Sequence, residues 1–169
     1  MSDAMKIYEL YVENAAANEQ PQMKVDKYGD KEWSLHGKLH RIDGPAVEWV
    51  NGDKFWYHHG ALHREDGPAA EYADGTKEWY LHGALHREDG AAVEYDDGTK
   101  MWFLHNILHR EDGAAVEYAD GTKAWYLHGK EYKNAAAWAK ALLKHRNEPH
   151  DADAAQKFVR AILTKDDLI

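Results

Sequence analysis

The stretch GTKEWYLHGALHREDGAAVEYDD, residues 75–97, decides the fold, because the chain repeats it with a constant period. Tryptophan recurs every 23 residues, and Leu-His-Arg triplets and Asp-Gly pairs recur in the same register. The five tryptophans are Trp33, Trp56, Trp79, Trp102 and Trp125. Four full repeats begin near Gly29 and a partial fifth ends near Lys133, with no insertion or deletion between them.

Each repeat has the pattern of a β-hairpin. Residues 76–82 and 91–95 are short strand candidates bounded by Gly turns. Asp74-Gly75 between strand segments indicates a tight hairpin turn, because both residues accept a positive φ. We therefore predict a mainly β fold, an elongated stack of β-hairpin repeats that advances by about 10 Å per repeat.

The alternation of side chains along the first strand assigns its two faces. Trp79 and Leu81 share one face, which we predict to be the core ladder. The other face carries aromatic residues beside a series that differs between repeats. Because this second face is not polar, we predict that it is covered or offered to a partner. The residues on it that we predict to bind a partner are Tyr57, Tyr80, Phe103, Tyr126, Phe55, Glu78 and Met101.

On these residues the chain resembles the MORN family of 23-residue repeats. The resemblance is closer to the W-x-x-x-G-x-x-H-R-x-D-G-P-A variant found in uncharacterised phage and bacterial proteins. It covers about Gly29 to Lys133 and implies rows of β-hairpins that serve as interaction platforms. The chain has one extra residue after Trp and lacks the basic surface on which lipid binding by some MORN proteins depends.

Different segments flank the repeats. Residues 134–169 predict a two-helix cap, with Asn134 as the N-cap of a helix over 135–146 and Asp153 opening a second helix to about Thr164. Lys6–Val12 predicts a strand and Asn14–Gln22 a polar linker. The predicted layout is an N-terminal strand and linker (1–28), the repeats (29–133) and the helical cap (134–169).

Composition excludes several classes of function. The chain has 169 residues, no cysteine and a formal net charge of −9. Disulfides, thiolate metal sites and a cysteine nucleophile are therefore excluded, and direct binding of a phosphate backbone is not expected. No segment has the pattern of a membrane span or signal peptide, so we predict a cytoplasmic protein.

Two charged or polar series could carry chemistry. The histidines four residues apart, such as His82 and His86, have a turn between them, so the helical zinc motif does not apply. We interpret the Leu-His-Arg-x-Asp-Gly segment as a structural turn whose Arg pairs with an acid of the next repeat. Glu48, Glu71, Glu94 and Glu117 lie near lysines and predict cross-strand pairs on a solvated face; the alternative is a row of negative charge that mimics nucleic acid.

Catalysis requires one asymmetric constellation, and the chain instead repeats one arrangement. We therefore predict no enzyme activity, no cofactor and no metal. The predicted function is a non-catalytic protein-binding module, by analogy a phage-encoded accessory protein that inhibits a host or defence factor. The alternatives are an acidic decoy that occupies a nucleic-acid-binding protein, and a small-ligand or metal binder that uses the His-rich turns. A homodimer is compatible with the first.

Overall fold

A computed structural model describes residues 20–166 of the chain. The predicted strand over Lys6–Val12, and all of the predicted linker before Gln20, lie outside the described residues. The described part is mainly β, with 18 short strands in antiparallel hairpins and two C-terminal helices, as the sequence predicts. It divides into two compact units, the first ending at Asp74 but including Tyr80–Gly83, and the second comprising Gly75–Trp79 and the chain from Ala84 onward.

The first compact unit holds nine strands. Its main sheet has the order β1-β2-β4-β5-β8, with β3 also paired to β2, and β6 pairs with β7. The strands are β1 (Gln22–Val25), β2 (Lys31–Leu35), β3 (Lys38–Leu39), β4 (Val47–Glu48), β5 (Lys54–Phe55), β6 (Tyr57–His58), β7 (Ala61–Leu62), β8 (Ala70–Glu71) and β10 (Tyr80–Leu81).

The second compact unit repeats the arrangement and ends in the helices. Its main sheet has the order β9-β12-β13-β16-β17-β18, and β14 pairs with β15. The elements are β9 (Lys77–Glu78), β11 (Ala84–Leu85), β12 (Val93–Glu94), β13 (Lys100–Met101), β14 (Phe103–Leu104), β15 (Ile107–Leu108), β16 (Val116–Glu117), β17 (Lys123–Leu127), β18 (Lys130–Tyr132), α1 (Ala135–His145) and α2 (Ala152–Asp166).

The strand register separates two faces of each main sheet. Lys31 lies opposite Glu48, Glu48 opposite Lys54, and Lys54 opposite Glu71. The second compact unit continues the same alternation from Lys77 to Lys123. This register confirms that Glu and Lys stand opposite each other on neighbouring strands, as predicted, and Lys31 and Glu48 form an ion pair at 3.4 Å. The four glutamates also each bind the arginine of their own repeat. On the other face Val47 lies opposite Phe55, and Val93 lies between Glu78 and Met101.

The sequence predicted a tight turn at Asx-Gly and a longer turn after the first strand, and the structure shows the reverse. At Asx-Gly turns only the glycine has a positive φ, 103° at both Gly52 and Gly75. At the other turns both central residues are left-handed, with φ of 52° and 89° at His59-Gly60. Two consecutive positive φ values define the two-residue hairpin whose twist matches the strands. The tight hairpin of each repeat is therefore its His-Gly (or His-Asn) turn, and the Asx-Gly prediction for it is wrong.

The predicted tryptophan core is wrong for four of the five repeats. Trp33, Trp56, Trp79 and Trp102 are half-buried, and only Trp125, at 8% exposure, is part of the core. In the first four repeats an arginine side chain covers the indole, whereas Trp125 packs on Trp138 of α1 with ring centroids 4.9 Å apart. The positions that are buried instead are the alanines directly before strands β4, β8, β12 and β16, which are Ala46, Ala69, Ala92 and Ala115.

Two backbone hydrogen bonds fix the chain at the tryptophan position of the first four repeats. The N–H of Trp79 donates to the Ala92 carbonyl at 2.8 Å, and its own carbonyl accepts from the N–H of His86 at 3.0 Å. Trp33, Trp56 and Trp102 make the same two bonds. The tryptophan thus stands where the extended chain changes from one strand partner to the next.

The helices cap the last repeat, as predicted. Trp138 and Leu142 are fully buried in a cluster with Trp125 and Leu127. The Asn134 side chain accepts from the Ala137 N–H at 2.9 Å and so caps α1. For α2 the prediction of Asp153 as the start is wrong, because Asp151 accepts from the Ala154 N–H at 2.8 Å and the helix begins at Ala152.

Candidate protein-binding surface

Each of the first four repeats carries an arginine stacked on its own tryptophan. The guanidinium carbon of Arg87 lies 4.0 Å from the centroid of the Trp79 ring, and the other three pairs lie at 3.9 to 4.2 Å. Arg87 also donates to the Ala91 carbonyl at 3.1 Å and pairs with Asp89 and Glu94 at 2.9 and 3.0 Å. The predicted pairing with the next repeat is therefore wrong: each arginine binds acids of its own repeat.

The turn aspartates present negative charge to solvent in every full repeat. Asp43, Asp66, Asp89 and Asp112 have side chains 84 to 85% exposed. The hydrogen bond from the neighbouring arginine holds the pKa of Asp43, Asp66 and Asp89 below its usual value. The lowered pKa keeps the Asp43, Asp66 and Asp89 carboxyls ionised at neutral pH, so they contribute to the net negative charge of the chain.

Of the seven predicted partner-binding residues, the structure buries one and leaves six half-buried. Phe55 is 7% exposed and forms a cluster with Val47 and Ala70, against which Tyr57 packs as a partly buried neighbour. Burial raises the pKa of the Tyr57 hydroxyl. Tyr80, Phe103, Tyr126, Glu78 and Met101 are half-buried. The sequence predicted that this face is either covered or offered to a partner. In the first compact unit it is covered at Phe55.

A different aromatic row, exposed at three of its four positions with Tyr72 half-buried, was not found from the sequence. Trp49, Tyr72, Tyr95 and Tyr118 recur every 23 residues, each two residues after the inward Val or Ala of the second strand. Trp49, Tyr95 and Tyr118 are 44, 42 and 48% exposed. Their constant 23-residue period is the signal that could have identified this row. It was overlooked because these residues lie beside the Asx-Gly turns, which were interpreted only as connections between strands.

The exposed aromatic row lies over the covered face. In the first compact unit the Phe55 ring contacts Trp49 and Tyr72 edge-on, with centroids 4.8 and 5.5 Å apart. In the second, Tyr95 and Tyr118 follow strands β12 and β16, which flank β13, so they stand about 10 Å apart. In the first compact unit Trp49 and Tyr72 therefore rest on the buried Phe55, an arrangement that suits rigid contact with a partner.

The histidines pair between successive repeats. His59 stacks on His40 at 4.4 Å between ring centroids, and its backbone N–H donates to Nδ1 of His40 at 3.1 Å. His82 with His63, and His128 with His109, make the same two contacts. Burial, and then the neighbouring histidines, lowers the pKa of His40, His63 and His109. These rings are thus neutral acceptors that hold the left-handed turn histidine in place, which supports the structural interpretation of the segment.

Comparison with known proteins adds no relative. No family model matches the sequence, and none of the curated proteins matches it either. Among the described residues, no helix has the length and apolar character needed to cross a membrane.

Proposed function

We propose that the chain is a non-catalytic protein-binding repeat module whose partner docks on the exposed aromatic row. The observation that carries the proposal is the exposure of Tyr95 and Tyr118 at the same position of two successive repeats of the second compact unit. Large aromatic side chains supply much of the binding energy in protein interfaces. In the first compact unit the equivalent Trp49 packs on the buried Phe55. As in MORN-like repeats, which the sequence resembles, the array would act as a platform.

The charge of the surface indicates which class of partner protein it favours. The chain carries a net charge of −9, and its turn aspartates have side chains 84 to 85% exposed. Complementary charge speeds encounter and rejects partners of the same sign. We therefore propose a protein with a basic rim around an apolar or aromatic contact; a host or defence factor met by a phage protein is the class that the resemblance suggests.

The test is capture of a partner by the full chain together with a matched pair of variants. The Tyr95→Ser/Tyr118→Ser double variant removes the row in the second compact unit. Ile107→Ser is the control, because Ile107 is 47% exposed, as Tyr118 is at 48%, and does not belong to the row. A partner retained by wild type and by the control, and lost by the double variant, supports the proposal.

The captured protein is then purified and its affinity for each variant measured. We expect the double variant to weaken binding at least tenfold while circular dichroism stays unchanged. Equal affinity for wild type and the double variant, or loss of binding in Ile107→Ser alone, contradicts the proposal, and so does the absence of any stoichiometric partner.

The exposed turn aspartates favour one alternative, an acidic decoy that occupies a nucleic-acid-binding protein. Such binding depends on charge and weakens steeply with salt, whereas aromatic docking does not. Repeating the affinity measurement at about 0.5 M salt separates them: a loss of more than about a hundredfold, with no effect of the tyrosine substitutions, favours the decoy.

A further inference from the structure

The second repeat differs from the other four at one position of the tight hairpin where the others agree. The residue two places after the repeat tryptophan is leucine in four repeats and histidine in the second, where His58 stands. The four leucines are Leu35, Leu81, Leu104 and Leu127. A histidine where the fold accepts leucine has no structural need behind it, so its surroundings decide what it does.

His58 completes a cluster with the histidine pair that the repeat already supplies. The ring centroids of His40, His58 and His59 are separated by 4.4 to 4.8 Å, with every ring next to the other two. One ring nitrogen of each lies within 4.8 Å of one ring nitrogen of both others. His40 is 3% exposed, whereas His58 and His59 are exposed at the surface.

We propose that His40, His58 and His59 bind a divalent transition-metal ion of the zinc class. Neutral imidazole is the preferred ligand of such ions, and three histidines leave a fourth position open to water. Tetrahedral bonds of about 2.0 Å place ligand nitrogens about 3.3 Å apart. The cluster reaches that spacing by movements of about 1 to 1.5 Å, which the exposed His58 and His59 rings can supply by rotation.

The surroundings leave the site open to solvent. His58 lines a groove of about 810 Å³ together with Trp56, His63, and the turn residues Asp43 and Glu65. No hydrogen bond or ion pair engages the ring nitrogens of His58 or His59 among residues 20–166. Arg41 and Arg64 also line this groove and pair with Asp43 and Asp66, so Glu65 leaves the lining with one net negative charge, which favours a cation.

His40 couples the proposed site to the backbone. Its Nδ1 accepts the His59 N–H at 3.1 Å, so a metal ion bound there displaces that amide, and one bound at Nε2 displaces the ring proton. Metal uptake therefore changes the environment of the His59 amide. That change provides a readout independent of the number of ions bound.

A second cluster is a weaker candidate for a metal site because one of its three side chains is already ion-paired. His109, Glu111 and His128 also lie within 4.8 Å of one another. However, Glu111 is already paired with Arg146 at 2.6 Å, which lowers the pKa of that carboxyl by a hydrogen bond. The proposal is thus confined to the repeat that contains His58.

The test is titration of the full chain with Zn²⁺ by calorimetry, and with Co²⁺ by its visible absorption. His58→Leu is the decisive variant, because leucine at this position restores the residue found in the other repeats and so should fold normally. Leu81→His is the reciprocal variant, because His63 and His82 stand there as His40 and His59 do, 4.4 Å apart.

We expect wild type to bind one ion with the absorption of tetrahedral Co²⁺ and with a shift of the His59 amide resonance. His58→Leu should weaken binding by more than about 100-fold, the upper cost of changes that spare direct ligands, and Leu81→His should gain a second ion. Equal binding by wild type and His58→Leu would assign the affinity to other histidines and overturn the proposal. Failure of Leu81→His to gain an ion would contradict the claim that the repeat supplies the other two ligands.

Discussion

Replacing Gly90 with alanine tests whether the arginine stacked on tryptophan explains the glycine of the Arg-x-Asp-Gly turn. A Cβ atom at residue 90 would lie 2.8 Å from the guanidinium carbon of Arg87. Gly44, Gly67 and Gly113 meet the same side chain of their own repeats at 2.7 to 3.0 Å. The φ of Gly90 is not positive, so alanine is compatible with the backbone and the conflict is with Arg87 alone.

The expected magnitude follows from what Arg87 must give up when it moves. Its stacking on Trp79 is worth about 0.5 to 1 kcal/mol, and its charged hydrogen bond to the Ala91 carbonyl about 1.5 kcal/mol or more. Partial loss of both predicts that Gly90→Ala lowers the free energy of unfolding by about 1 to 2 kcal/mol. In an Arg87→Ala background nothing obstructs the methyl group, and the substitution should stabilise by about 0.5 kcal/mol by restricting the unfolded chain.

The assay is a double-mutant cycle in urea, with unfolding followed by tryptophan fluorescence and circular dichroism. A change of sign between the two backgrounds, with a coupling energy of about 1.5 to 2.5 kcal/mol, is the predicted result. The same cost in both backgrounds would refute the argument, because it would show that residue 90 is constrained by the backbone rather than by Arg87.

Three further outcomes follow from the core, the cap and the histidines. Trp138→Ala, in the fully buried cap cluster, should lower the free energy of unfolding by about 3 to 5 kcal/mol, and a loss below about 1 kcal/mol in urea would show that the cap does not stabilise the last repeat. Phe55→Ala should cost about 3 kcal/mol and Tyr95→Ser less than about 1 kcal/mol; the reverse order in thermal melts would contradict the assignment of faces. Burial and then His128 lower the pKa of His109 below 6.5 in the folded chain. As pH falls, His109 is therefore protonated first in the unfolded chain, and the free energy of unfolding declines below about pH 6.5. Urea midpoints from pH 7.5 to 5 should show this decline, and His109→Gln should reduce it; an unchanged slope would count against the acceptor role of His109.

The repeat made the architecture predictable. A fixed period with turn residues at fixed offsets specifies hairpins regardless of which residues are buried, and the helical cap follows from its own apolar stripe and from Asn134. The cross-strand pairing of Lys31 and Glu48 was likewise predictable, because alternation places both on the same face.

The faces were harder to predict because the strands are short and change partners at tryptophan. Trp79 was expected in the core because large apolar side chains are normally buried, but an arginine eight residues later covers it. The residues near each tryptophan in the sequence do not show whether a helix or an arginine side chain will cover its ring. The exposed row was missed for the opposite reason, since Tyr95 and Tyr118 lie beside turns, where side chains are usually discounted.

The histidine pairs show how spacing can mislead. Histidines four residues apart within a repeat attracted attention, whereas the contacts form between repeats, as His40 does with His59. The partner strand, not the sequence neighbour, sets which side chains meet in a sheet.

The most direct test of partner docking on the exposed aromatic row is a hydroxyl-radical footprint of the chain alone and in complex with its captured partner. We expect oxidation of Trp49, Tyr95 and Tyr118 to fall several-fold in the complex, while Ile107 reacts equally in both. Protection confined to the arginine–tryptophan turns, or equal oxidation of the row with and without the partner, would contradict that claim.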